Sequence, residues 1–123
     1  MPLELGLFLG ARQFGVGRHK AKRCIILDRE RYRYQKFISD IAGQDIHSYG
    51  TTAAGMIEEV SSWLRHETTL APVPGGKAIA REFQAFQHNL PNICGAMQLA
   101  PEELTFQDYR KMAIEWIVQA ARA

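Results

Sequence analysis

A chain of 123 residues, 46% hydrophobic and 23% charged, has the apolar content of one folded domain and is too apolar for a disordered segment. No apolar run approaches the roughly 20 residues of a membrane span, and the start lacks the basic flank and small-residue cleavage site of a secretory signal, so no membrane partner and a cytoplasmic setting are expected. The formal net charge of +2 is unevenly spread: nine Lys or Arg lie between Arg12 and Lys36 against Asp28 and Glu30, whereas the remainder from Phe37 onward is acidic.

In chain order, Leu5, Phe8, Leu9 and Arg12 fall at helical spacing, which predicts a helix over residues 3 to 14 ended by Gly15 and Gly17. Gly6 and Gly10 form a Gly-x-x-x-Gly within it, where missing side chains let a strand or a partner helix approach. Cys24-Ile25-Ile26-Leu27 is a continuous aliphatic run of strand length, followed by Asp28, and suits a strand covered on both faces. Tyr32 to Ile41 has the pattern of a short helix, while Gly43 to Asp45 and Ser48 to Gly50 read as loop. Thr51 or Thr52 is placed to cap a helix reaching about His66, with Ala53, Ile57, Val60 and Leu64 on its apolar face. After a Pro- and Gly-rich loop, Ile79, Phe83, Phe86 and Leu90 form a stripe ending at Pro91, with a further short helix expected over 92 to 99. Thr105 and Asp108 predict a capped final helix carrying Phe106, Tyr109, Ala113, Trp116 and Ala120. Trp63 and Trp116, on apolar faces, are expected in the core.

One convincing strand among several helices needs a ladder partner. The partner must come from a second copy, from a larger α/β domain of which this chain is the C-terminal portion, or from strands too short to show in the pattern. Cys24 and Cys94 have no CxxC or paired-His context and read as free thiols. His19, His47, His66 and His88 lie on unrelated segments without His-x-x-x-His spacing, so no metal site is expected.

The opening Leu3-Glu4-Leu5-Gly6-Leu7-Phe8-Leu9-Gly10 sets one carboxylate in an apolar, glycine-punctuated helix, followed by a basic loop and a strand ending in Asp28. This segment resembles the Glu-Leu-Gly-centred helix of bacterial predicted nucleotide-binding domains of the TIR-like type, which look related to nucleoside deoxyribosyltransferase-like proteins. Tyr32 to Ile46 also looks like sequence of TIR-like proteins, so the resemblance covers about residues 1 to 50. It implies a flavodoxin-like α/β fold, here predominantly helical with one or few parallel strands. It also implies that residues 1 to 123 are a single domain, the C-terminal portion of a TIR-like domain. Family members carry strands and a phosphate- or ribose-binding loop ahead of the Glu-bearing helix, and only Met1, Pro2 and Leu3 stand there in this sequence. The chain on its own is accordingly expected to be inactive.

By this resemblance Glu4 is the candidate catalytic carboxylate, stabilising or attacking the oxocarbenium-like sugar that forms when an N-glycosidic bond breaks, with NAD or a nucleoside as substrate and no bound cofactor. Read from the residues alone, Glu4 is an acidic residue in a first helical turn, favourable with the helix dipole. Asp28, at the carboxyl end of the strand, lies where open α/β sheets bind ligands, and with Tyr32 and Arg33 it is a candidate for ligand binding. Asp40 and Asp45 on a glycine-containing loop suit a ribose diol or Mg²⁺, or serve as caps and turn residues. The interleaving of Arg31, Tyr32 and Arg33 is the pattern of a nucleic-acid patch, or of a solvated loop beside a strand. Three functions follow: an N-glycosidase or transferase acting on NAD or a nucleoside, a non-catalytic nucleotide-binding or assembly module, and a small basic-patch domain for RNA or an acidic partner. A nucleotide or NAD and a second copy of the chain are the expected partners, and tight nucleic-acid binding is not expected.

Overall fold

The computed structural model describes residues 2–33, 46–69 and 72–122. It is mostly helical with a two-stranded parallel sheet, a mixed α/β class, and it divides into two compact units, Met1–Lys77 and Ala78–Ala123.

The first unit contains α1 (Pro2–Phe14), a 3-10 turn at Gly17–His19, β1 (Ile26–Asp28), β2 (Ile46–Ser48), α2 (Ala53–Glu67) and the first residues of α3 (Gly76–Ala96). α1 turns Leu5, Phe8, Leu9 and Arg12 into half-buried positions, as their spacing predicts, and Lys22 Nζ lies 5.9 Å from the centre of the Phe8 ring. β1 is shorter than the aliphatic run that announces it, and Cys24 to Asp28 are half-buried rather than enclosed. Its ladder partner comes from the same chain: β2 runs parallel to it with Ile26 opposite Ile46, Leu27 opposite His47 and Asp28 opposite Ser48. The pairing continues past the strand ends where Tyr49 N–H donates to the Asp28 carbonyl at 3.1 Å. A three-residue strand with one aliphatic side chain leaves no period to read, so the sequence pattern takes part of it for loop. The short helix expected from Tyr32 onward falls largely outside the described residues.

α2 begins where predicted, with Thr52 Oγ1 accepting from Gly55 N–H at 3.0 Å. Gly55 is required there, because a Cβ would stand 2.4 Å from the Tyr49 carbonyl oxygen. Gly76 is required for the same reason at the start of α3, where a Cβ would stand 2.5 Å from Glu58 Cα on α2.

In the second unit, α3 runs on to Ala96 and is followed by a 3-10 turn at Pro101–Glu103 and by α4 (Phe106–Ala120). The expected break at Pro91 does not occur. Proline removes one helical hydrogen bond and costs about 3 kcal/mol in a helix interior. Pro91 is exposed, however, and the stripe Phe86, Leu90, Ile93 and Cys94 continues across it into the core. That core is Phe86, Cys94 and Met112, joined by Tyr109 and Trp116. Tyr109 meets Phe86 edge-on at 5.4 Å and Trp116 lies tilted at 5.9 Å, the offset geometries that aromatic quadrupoles favour. Trp116 Nε1 donates to Glu82 at 2.5 Å, so the indole is half-buried with its polar edge satisfied. The predicted box at Thr105 is present: Asp108 accepts from Thr105 N–H at 3.1 Å, and Thr105 Oγ1 accepts from Asp108 N–H at 3.2 Å.

α3 ends in a Schellman arrangement, with Leu99 N–H donating to the Cys94 carbonyl and Gln98 N–H to that of Gly95, both at 3.0 Å. Gln98 holds φ at 55°, the left-handed position that glycine usually occupies. Gln98→Gly removes that strain at some cost in unfolded-chain entropy, and the net gain in stability is about 0.5–1 kcal/mol. Urea denaturation of the two proteins measures it as a higher midpoint at unchanged slope.

Candidate functional site

Asp28 closes β1, and its largely buried carboxylate organises the turn that follows. Its Oδ1 accepts from the backbone N–H of Arg29 and from Arg33 Nε, each at 2.7 Å. The Asp28 side chain is only 11% exposed, while that of Arg33 is 46% exposed. Burial pushes the Asp28 carboxyl up; the Arg33 guanidinium and the N–H groups of Arg29 and Glu30 together outweigh it and hold the group below its ordinary value. Tyr32, between these partners, has φ 63° and is 64% exposed. The structure thus brings Asp28 and Arg33 together as an ion pair and leaves the Tyr32 ring to solvent. Four residues after β2, α2 opens beyond a turn in which Gly50 has φ 70°. The carboxyl end of the parallel pair therefore carries an ordered acid–arginine pair and, on the neighbouring strand, a loop leading into a helix N-terminus.

Glu4 lies in the first turn of α1 and is exposed. Its carboxyl is held below the ordinary value, first by a hydrogen bond with the terminal ammonium and then by a backbone N–H of its own turn. Leu3 and Leu7, its apolar neighbours, are 73% and 66% exposed and form no enclosing wall. Asp40 and Asp45 lie outside the described residues.

A second grouping lies elsewhere in the same unit. A cleft of about 520 Å³ is lined by Arg12 from α1, Arg23, Cys24 and Ile26 at β1, His47 from β2, and the last turns of α2 with His66 and Glu67. Arg23 Nε pairs with Glu67 at 3.3 Å. His47 Nδ1–H donates to Glu59 at 2.8 Å, which fixes the tautomer of that ring, and His66 Nδ1–H donates to the Ser62 carbonyl at 2.7 Å. Two of the histidines that look unrelated in sequence thus share one cleft with Cys24. Nothing in their spacing shows it, because β1–β2 pairing sets His47 beside the Cys24–Ile26 segment and the end of α2 carries His66 to the same cleft. Among the described residues no three His, Cys, Asp or Glu side chains converge on a metal position. Both cysteines are free, Cys24 half-buried and Cys94 buried.

No family model, curated protein or solved structure matches the chain. Among the described residues no helix is long and apolar enough to cross a membrane.

The lowered carboxyl of Asp28 sets a pH dependence with a definite sign. Its contribution to stability is complete above the unfolded value of 3.8 and is lost as pH falls through the lower folded value. Arg33→Ala is expected to lower stability at neutral pH by up to ~1 kcal/mol, since the arginine is half exposed and screened. Urea titrations at neutral pH and at about pH 2.5 should show the gap between wild type and variant narrowing in acid.

Proposed function

We propose that the chain is a TIR-like, flavodoxin-related module that binds a nucleotide or NAD at the carboxyl end of the β1–β2 pair, without itself cleaving it. The observation that supports this most is the Asp28–Arg33 pair at the end of a parallel strand, the edge at which open α/β sheets take ligands. Arg33 is half exposed beside the exposed Tyr32 ring, a cation and a π-face suited to a phosphate and a base. A homo-oligomer in a cytoplasmic setting belongs to the same reading.

The catalytic alternative gives Glu4 the ribosyl C1′ of NAD or a nucleoside. A carboxylate stabilises an oxocarbenium-like transition state best in a water-excluded site, and the exposure of Glu4 favours the binding module over the enzyme.

Isothermal calorimetry with NAD, AMP and adenosine tests the binding reading. Arg33→Ala is expected to weaken AMP binding by about tenfold or more, as loss of a charge-assisted phosphate contact does, while Arg12→Ala, in the separate cleft, leaves it unchanged. Sensitivity to Arg12 alone moves the ligand to the cleft. Chromatography of the same mixtures should show NAD and adenosine intact. Base release abolished by Glu4→Gln would replace the binding module with the enzyme.

A further inference from the structure

α1 is apolar on two opposite faces. Leu5, Phe8 and Leu9, followed by Arg12, make the half-buried one, and Leu3, Leu7, Gly10 and Phe14 make the other. The second set repeats at intervals of four, three and four, the spacing of a helix–helix seam. It lies open: Leu3, Leu7 and Phe14 are 73, 66 and 85% exposed, and no atom comes within 4 Å of a Cβ built on Gly6 or Gly10. A helix with two apolar faces ordinarily has both covered. Glu4, Arg12 and Gln13 are its only polar residues.

We propose that this outer face of α1 pairs antiparallel with the same face of a second copy of the chain. Two features select a second copy as the occupant. The face is self-complementary when reversed, since Leu7 then lies opposite Gly10 and Leu3 opposite Phe14, in both directions at once as two-fold symmetry requires. Antiparallel helices also oppose their dipoles favourably. The area is of the right order: Leu3, Leu7 and Phe14 present roughly 400 Å² per copy, within the range of a monomer's largest patch. Two such patches with their polar rims reach the ~1,200 Å² at which specific interfaces begin. The face gives the homo-oligomer of the proposed function its surface and is separate from the nucleotide site, since none of Asp28, Tyr32 or Arg33 belongs to it.

Light scattering of the 123-residue chain is expected to give twice 13.9 kDa. Leu7→Lys and Phe14→Lys should each raise the dimer dissociation constant about tenfold or more, with Leu7→Ala a smaller step in the same direction that leaves the helix undisturbed. Circular dichroism should be unchanged, because the positions are exposed. Ile117→Lys, at a 60% exposed position on α4, should leave the dimer intact. A monomer at every concentration, a dimer indifferent to the α1 variants, or a dimer dissolved by Ile117→Lys overturns the assignment.

Discussion

Three paired residues on each of two strands hold the first unit together. Among the described residues the buried apolar side chains are Ala80, Phe86, Cys94 and Met112, and all four belong to the second unit. The first unit has a half-buried interior instead. Its distant segments are joined by the β1–β2 ladder, by the His47–Glu59 and Arg23–Glu67 pairs, and by two glycines that bring backbones together. Two short strands are marginal by themselves and need a covering layer. α2 supplies it: Gly55 lets its first turn sit against the Tyr49 carbonyl, and Glu59 reaches His47 on β2. Ladder and helix are therefore tied together, through Tyr49 just past β2 and through His47 within it.

That dependence reaches the candidate site. Asp28 contributes its backbone carbonyl to Tyr49 N–H and its carboxylate to the following turn, so one residue both extends the sheet and orders the loop beside it. Tyr32 keeps a left-handed backbone, a conformation that costs a non-glycine residue about 1–2 kcal/mol. The Asp28–Arg33 bond spans it and helps offset that cost. The tyrosine ring is thus presented to solvent by a closed turn rather than by a loose loop.

The parts of the fold legible in the sequence are those governed by local rules. Thr52 and the Thr105–Asp108 box start helices where side-chain caps dictate, and the stripes of α2 and α4 follow from a 3.6-residue period. Asp28 as the last residue of a strand was also readable, because an aliphatic run stops there. What escaped the pattern depends on contacts made across the chain. β2 is a strand only because β1 lies beside it, and α3 passes through Pro91 only because Ile93 and Cys94 find the core on the far side. The meeting of Cys24, His47 and His66 at one cleft is a product of strand pairing and of where α2 ends. The tie between Asp28 and Arg33 had a weaker signal, opposite charges five residues apart across a turn, and its geometry appears only in three dimensions.

The burial of Cys94 gives the second unit a built-in chemical clock. The residue is 1% exposed, packed with Phe86 and Met112, and its carbonyl receives the bond that closes α3. A thiol reagent reaches it only when the helix end and the core separate, so its modification rate reports the free energy of that opening. Cys24, half-buried at the edge of a cleft, carries no such toll and supplies the open reference within the same molecule.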